Sequence, residues 1–295
     1  MELALHLRSL AQEEALGSFP QHLATFYRST FPGNERLGEN IARSFARIYL
    51  GDEFCPHRLP SLSDLKAFYQ CAEKKGVGVT LLTPVFTNEG WKWYTPIFEY
   101  LYSKDPMAEV VVNDWGTIFF LKERYPHLQL AAGRLFNKGF KDPRLSWPDK
   151  AASFSGETKA LLHGSTFDFR TVQEKMMALG VTRLERDLLP YGTLRVDTAS
   201  PLNQSIYFPF GYITTGRVCW IASFTQPAKQ KFIPLHQCAQ PCSMSVLELK
   251  SQDAAFPIIQ SGNTIFYRYT PLMVASLFKT AKRKKVRLVY QGFAI

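Results

Sequence analysis

From Ile48 onward the chain alternates between short, β-branched apolar runs and amphipathic segments of helical period. Asn40 to Arg47 reads as a short helix feeding a strand at Ile48–Leu50 that stops at Gly51. Ser63 to Lys75 carries Leu65, Phe68, Tyr69 and Ala72 on one helical face, with Ser63 as its N-cap and Gly76 as its stop. Val77–Leu82 is a strand closed by Thr83-Pro84, Trp91–Tyr102 a helix, Val110–Val112 a strand and Thr117–Tyr125 a helix. Leu128–Ala131, Thr182–Glu185, Ser205–Phe208, Ile258-Ile259, Ile265–Tyr267 and Val286–Tyr290 supply further strands, and Thr171–Leu179 a further helix. Upstream, Glu2–Arg8 alternates as a strand, Leu23–Ser29 reads as helical and Pro32–Asn34 as a turn, while the rest of residues 1–40 takes no clear assignment. Strands apolar on both faces belong in a parallel sheet covered by helices. About eight such units point to an α/β fold, a TIM-like (β/α) barrel, complete or distorted, in preference to a doubly wound sheet. A single domain over residues 1–295 is expected. No G-x-G-x-x-G or G-x-x-x-x-G-K-[ST] occurs, which counts against a Rossmann or P-loop nucleotide site.

A hydrophobic fraction of 46%, with 14% aromatic residues, supports a large packed core and argues against disorder. No apolar run is long enough to span a bilayer, and the opening MELALHLRSLAQEE is not a secretory signal, so a cytoplasmic protein is expected. The net charge of +10 permits an acidic partner: RNA, an anionic membrane surface or an anionic small molecule. Much of the excess lies in Lys279, Lys282, Arg283, Lys284, Lys285 and Arg287, a run that reads most simply as a solvated helix end.

Five cysteines in a chain of this size are better explained as metal ligands or redox groups than as cross-links. Cys219, Cys238 and Cys242 fall in one stretch, and Cys55 stands far upstream in IYLGDEFCPHR. Four thiolates drawn from separated segments could bind zinc or an iron–sulfur cluster. Two C-x2-C pairs of zinc-ribbon type are absent, and the irregular spread suits a cluster held between loops better than a zinc knuckle. Cys71, on the Ser63–Lys75 helix beside apolar positions, reads as a buried, inert thiol. His57 and His236 neighbour cysteines in sequence, but sequence neighbours seldom form a nucleophile–base dyad, and G-x-S-x-G and H-E-x-x-H are absent. His6, His22, His127 and His163 are scattered and read as structural or exposed.

Polar residues gather just after the expected strands: Asp52, Glu53 and Cys55; Asn113 and Asp114; Arg134 and Asn137; Glu185 and Asp187. In a barrel these positions lie at the C-terminal face, where active sites are built, although turns attract such residues in any case.

The segments IYLGDEFCPHR, VVVNDWG, LAAGRLFN and GVTRLERDLLPYG, followed by a C-x3-C that ends at Cys242, together resemble the collagenase-like peptidase family U-thirty-two. Within that family the likeness is to the short, iron–sulfur, UbiV-like branch, and it runs from about Ile48 to the C-terminus. The resemblance implies a TIM-like barrel with a 4Fe–4S cluster on Cys55, Cys219, Cys238 and Cys242. It also implies a hetero-oligomer with a UbiU-like sister protein and a part in oxygen-independent hydroxylation of the ubiquinone-biosynthesis type, with prephenate as an anionic small-molecule oxygen donor. Other relatives hydroxylate RNA bases, for which the Lys279–Arg287 segment would be the backbone grip. Collagenase-like peptidase activity is the further alternative, carried only by the family's name. Arg58, Asp114, Arg134, Asn137 and Glu185 are the groups expected around a small anionic ligand, since arginine offers a carboxylate or phosphate two parallel donors. The chain departs from the family in the long Cys219–Cys238 interval and in its first forty residues.

Overall fold

The structure, a computed structural model, describes residues 2–8, 25, 45–88, 90–142, 154–190, 200–234, 238–250, 252, 254, 256–284 and 286–292. Eight parallel strands close into a barrel: β1 (Glu2–Leu7), β2 (Phe45–Gly51), β3 (Gly78–Leu82), β4 (Glu109–Val112), β5 (Gln129–Ala132), β6 (Val181–Arg186), β7 (Asn203–Phe208) and β12 (Arg287–Tyr290). β12 closes the ring by pairing in parallel with both β1 and β7. The expected TIM-like architecture is therefore the one observed, and it is complete.

Helices α1 (Leu62–Lys75), α2 (Gly90–Lys104), α3 (Trp115–Arg124), α4 (Gly156–Leu162) and α5 (Arg170–Ala178) lie between successive strands from β2 to β6. α1 buries Leu65, Phe68, Tyr69, Cys71 and Ala72, so its apolar face and the burial of its thiol are as expected. Its start differs. Ser61, not Ser63, is the N-cap: its hydroxyl accepts from the Asp64 N–H while Asp64 reaches back to the Ser61 N–H, which satisfies two otherwise orphaned donors. Gly76 ends the helix in the left-handed conformation, as anticipated.

Three further readings change. Phe45–Arg47 belong to β2 rather than to a helix, because their backbone pairs with β1 and, at Arg47, with β3. Asn40–Ser44, Leu23–Ser29 apart from Thr25, and the Pro32–Asn34 turn lie outside the described residues. Ile258-Ile259 and Ile265–Tyr267 are not barrel strands. They sit in β10 (Ile258–Ser261) and β11 (Thr264–Arg268), which join β8 (Phe210–Thr215) and β9 (Leu247–Leu249) in an antiparallel sheet of order β8-β11-β10-β9. This sheet, the short α6 (Trp220–Ser223) and α7 (Pro271–Lys284) form one long insertion between β7 and β12.

Inside the barrel Ala4, Tyr49, Leu82, Val111, Ala131, Tyr207 and Val289 pack together. Below them Glu109 accepts hydrogen bonds from Thr80 (2.7 Å), Arg183 (3.1 Å) and Arg287. Arg287 is thus a buried barrel residue paired with Glu2 and Glu109, not part of a solvated basic run. Lys279 and Lys282 are exposed as expected.

Candidate functional site

The site begins where β2 ends. Gly51 has φ +113°, and a Cβ there would lie 2.7 Å from the Leu82 carbonyl oxygen, so glycine is needed to turn the chain out of the barrel. The next residue, Asp52, organises the turn: one carboxylate oxygen accepts from the Phe54 N–H (2.7 Å) and the Cys55 N–H (3.0 Å). Its other oxygen meets Arg8 at 3.3 Å and Arg58 at 3.4 Å. Cys55 is thereby fixed at the rim, leading into a single helical turn over Pro56–Arg58.

The other three cysteines come from the insertion. Cys219 caps α6, Cys242 lies in the turn Pro241–Ser243, and Cys238 precedes it outside any helix or strand. Asn263, in the tight turn between β10 and β11, ties these pieces to the barrel. Its amide donates to the Phe54 carbonyl (2.8 Å) and to the Gly216 carbonyl (2.7 Å), joining the Cys55 loop to the Cys219 loop. Gln240 donates to the His57 carbonyl at 2.5 Å and anchors the Cys238 segment to the same rim. Cys55, Cys219, Cys238 and Cys242 consequently line one cavity of about 310 Å³.

All four sulfurs accept an N–H. Cys219 receives that of Ala222 (3.5 Å), Cys238 that of Gln240 (3.3 Å), Cys55 that of His57, and Cys242 the Arg58 guanidinium Nε–H (3.2 Å). Donors aimed at sulfur favour thiolate over thiol. Cys242 is brought down to about 5, chiefly by a hydrogen bond from the Cys219 thiol and then by Arg58, which together outweigh burial. Cys219 keeps the shared proton and is pushed up, by that bond first and then by burial. Burial pushes Cys55 up to about 12. Among the described residues, no three His, Cys, Asp or Glu side chains close on a point as one metal ion requires. The four thiols are instead found along the lining of one cavity.

Of the five residues expected around an anionic ligand, only Arg58 lines this cavity. It is 6% exposed and divided between Cys242 and Asp52. Arg134 lies beneath, fully committed: it donates to Glu53 (2.7 Å), Asp187 (3.0 Å) and Gln291 (3.1 Å), and its guanidinium stacks 3.7 Å from the Tyr207 ring centre. Asp114 caps α3, accepting from the Thr117 N–H and hydroxyl. Asn137 accepts from the Phe167 N–H (3.3 Å). Glu185 lies inside the barrel, where it accepts from the Tyr49 hydroxyl (3.1 Å) and burial raises its pKa to about 7. The structure therefore brings the four cysteines and Arg58 together and leaves the other four candidates in the supporting framework.

Several contributors carry no sequence signal. Asn263 is one polar residue in a hairpin turn, and nothing local says that it bridges two cysteine loops. Lys141, in the framework outside the cavity lining, is as little signalled: it is 8% exposed, lies 3.3 Å from the Tyr212 ring centre and 3.7 Å from Asp187, and burial draws it down to about 7. His6 is buried, bonded to the Gly51 carbonyl oxygen at 2.8 Å, and lowered to about 3 by burial. His22 and His236 lie outside the described residues.

No protein-family model matches the chain, and no curated protein matches its sequence. Among solved structures it is similar to a xylose isomerase domain-containing protein of Salmonella typhimurium, at 11% identity over 99% of this chain and 88% of that one, with a TM-score of 0.38. A glycoside hydrolase family 18 N-acetylglucosaminidase from Paenibacillus barengoltzii is similar at 8% identity over 98% and 94% of the two chains, with a TM-score of 0.36. The spore cortex-lytic enzyme SleL of Bacillus megaterium is similar at 10% identity over 98% of this chain and 70% of that one, also at 0.36. No helix among the described residues is long and apolar enough to cross a membrane.

Proposed function

We propose that the chain is an iron–sulfur protein of the UbiV-like branch of family U-thirty-two, holding a 4Fe–4S cluster on Cys55, Cys219, Cys238 and Cys242. In this reading it works with a UbiU-like sister chain in oxygen-independent hydroxylation. One observation carries the proposal: four cysteines from separate segments line a single cavity, and each sulfur accepts an N–H. A cluster is ligated through a different iron at each thiolate, so its ligands ring a volume, whereas the ligands of a zinc ion converge on one point. The donor set therefore suits a cluster better than a single metal ion.

When bound, such a group supplies one-electron chemistry. The chain's own part is to hold and tune it. The backbone N–H groups of His57, Ala222 and Gln240 and the Arg58 guanidinium stabilise negative charge on sulfur. Asp52 pairs with both Arg8 and Arg58 beside the thiols, which leaves one positive charge there to face sulfur. Phe54, Val85, Phe86 and Leu135 give the cavity an apolar wall that limits water.

The RNA-modifying alternative is less well supported, because Arg287 is buried and cannot grip a phosphate backbone. The functional test is genetic. Cells of the source organism lacking this chain should lose ubiquinone only when grown without oxygen, and the wild-type chain should restore it where Cys242→Ala does not. Unchanged quinone levels in anaerobic cells lacking the chain would rule the pathway assignment out.

A further inference from the structure

The short helix α6 turns its apolar residues both ways. Ile221 and Ala222 are buried, while Trp220 and Phe224, four apart on the opposite face, are each more than half exposed. The segment that follows is held by its own backbone. The Ser223 hydroxyl donates to the Cys219 carbonyl (2.7 Å), and the N–H groups of Phe224, Gln226, Gln230 and Ile233 each bond the carbonyl three residues back. Phe232 and Ile233, also more than half exposed, extend the patch, and the Phe232 ring centre lies 6.4 Å from that of Trp220. Large apolar side chains gathered at the surface on a bonded backbone mark a contact face.

The charge around that face has one sign. Arg217, Lys229 and Lys231 are the charged residues between positions 217 and 234, and the sequence holds no Asp or Glu between Asp197 and Glu248. Arg217 and Lys229 are exposed. This composition selects the partner. Protein–protein interfaces are depleted in lysine at their centres. A lipid headgroup layer accepts the same mixture readily: aromatic rings settle at headgroup level, and long lysine stems carry their ammonium groups to the phosphates. The net charge of +10 adds long-range attraction toward an anionic surface.

We propose that this patch docks the protein on an anionic lipid bilayer. Trp220, Phe224, Phe232 and Ile233 enter the headgroup layer, and Arg217, Lys229 and Lys231 meet its phosphates. Arg217, Cys219 and Pro234 also line the cysteine cavity, so docking sets that cavity beside the lipid surface. The inference uses no cysteine sulfur and stands apart from the cluster reading.

Co-sedimentation of the full chain, purified without oxygen, tests it with vesicles of phosphatidylcholine alone or with about one-third phosphatidylglycerol. Partition onto the anionic vesicles should exceed that onto the neutral ones by at least about tenfold and weaken as salt is raised. Trp220→Ala combined with Phe232→Ala should lower it by about tenfold or more, as should Lys229→Glu combined with Lys231→Glu. Lys279→Glu combined with Lys282→Glu makes the same change in net charge at exposed positions of α7 and should lower it by no more than about threefold. Equal partition onto both vesicles, an equal loss in the α7 variant, or binding that ignores the loss of both rings would overturn the proposal. So would a lipid-free dimer in sedimentation velocity that the ring substitutions abolish, since a second copy would then cover the patch. Because lipid partition is read rather than iron content, failure here leaves the cluster question untouched.

Discussion

At Arg134 two carboxylates and an amide share one buried guanidinium at the mouth of the barrel. Removing it would leave the Glu53 carboxylate buried without a cation beside it, and Asp187 with only Lys141, 3.7 Å away. Arg134→Ala should therefore lower stability by about 3–5 kcal/mol, read as a fall in the urea midpoint. An anion-binding surface arginine would cost far less when removed, so an unchanged midpoint would return Arg134 to that role. The cysteines were legible because cysteine has few uses in such a chain and because only convergence gives four separated thiols a common purpose. The buried settings of Arg134 and Glu185 are not legible, for the opposite reason. A charged residue after or within a strand looks the same from sequence whether it faces a ligand or a buried partner, and that difference is decided by Glu53, Asp187 and Tyr49, residues 30 or more positions away in most of these pairs. Asn263 leaves no trace in sequence at all, because its importance lies in the two carbonyls that it bonds.

Helix starts and inserted strands set the limits at the level of elements. Ser61 and Ser63 are equally plausible caps by residue type, but only Ser61 has Asp64 three positions on to complete a capping box. Ser61→Ala should cost about 1 kcal/mol of stability and Ser63→Ala only a few tenths, measured by thermal unfolding. The reverse order would move the cap back to Ser63. Strand and helix alternation made β2 to β7 readable, since each buried strand has to be apolar on both faces. The antiparallel sheet escaped because β10 and β11 are as apolar as barrel strands, and their pairing partners β8 and β9 hold Thr, Glu and Gly at positions that break the pattern. That sheet helps to build the cysteine cavity, since Cys219 follows β8 and Asn263 sits between β10 and β11.

For the molecule as a whole, the barrel's buried titratable groups should shape its response to pH. Burial holds His6 near 3, so it resists the proton that the unfolded chain accepts below about 6.5, and its contribution to stability is lost as pH falls toward 3. Glu109 is held near 2, where Arg287, Arg183 and Arg47 outweigh burial, so its contribution is full above the ordinary carboxylate value and lost between about 4.5 and 2. Glu185 works the other way: raised to about 7 by burial and then by Glu109, it keeps a proton the unfolded chain releases, and stability falls as pH rises from about 4.5 to 7. His6 and Glu185 thus oppose each other between about pH 4.5 and 6.5, and His6 and Glu109 act together below it. With Cys242 replaced, so that its own titration from about 5 upward adds no slope, urea midpoints should be nearly level across the upper window and fall steeply below about pH 4.5, on the order of 1.4 kcal/mol per pH unit for each group. Glu185→Gln should remove the compensation, so that the decline begins near pH 6.5 instead.

The barrel places a cavity lined by four cysteines at the end of a complete, closed scaffold, and the proposed function depends on what those thiols hold. Anaerobic purification followed by iron and sulfide analysis, with EPR of the dithionite-reduced protein, addresses that directly. Wild-type chain should be brown, carry roughly four iron and four sulfide, and give the signal of a reduced 4Fe–4S cluster that Cys238→Ala loses or alters. A colourless protein carrying one zinc, or no metal at all after anaerobic isolation, would contradict it.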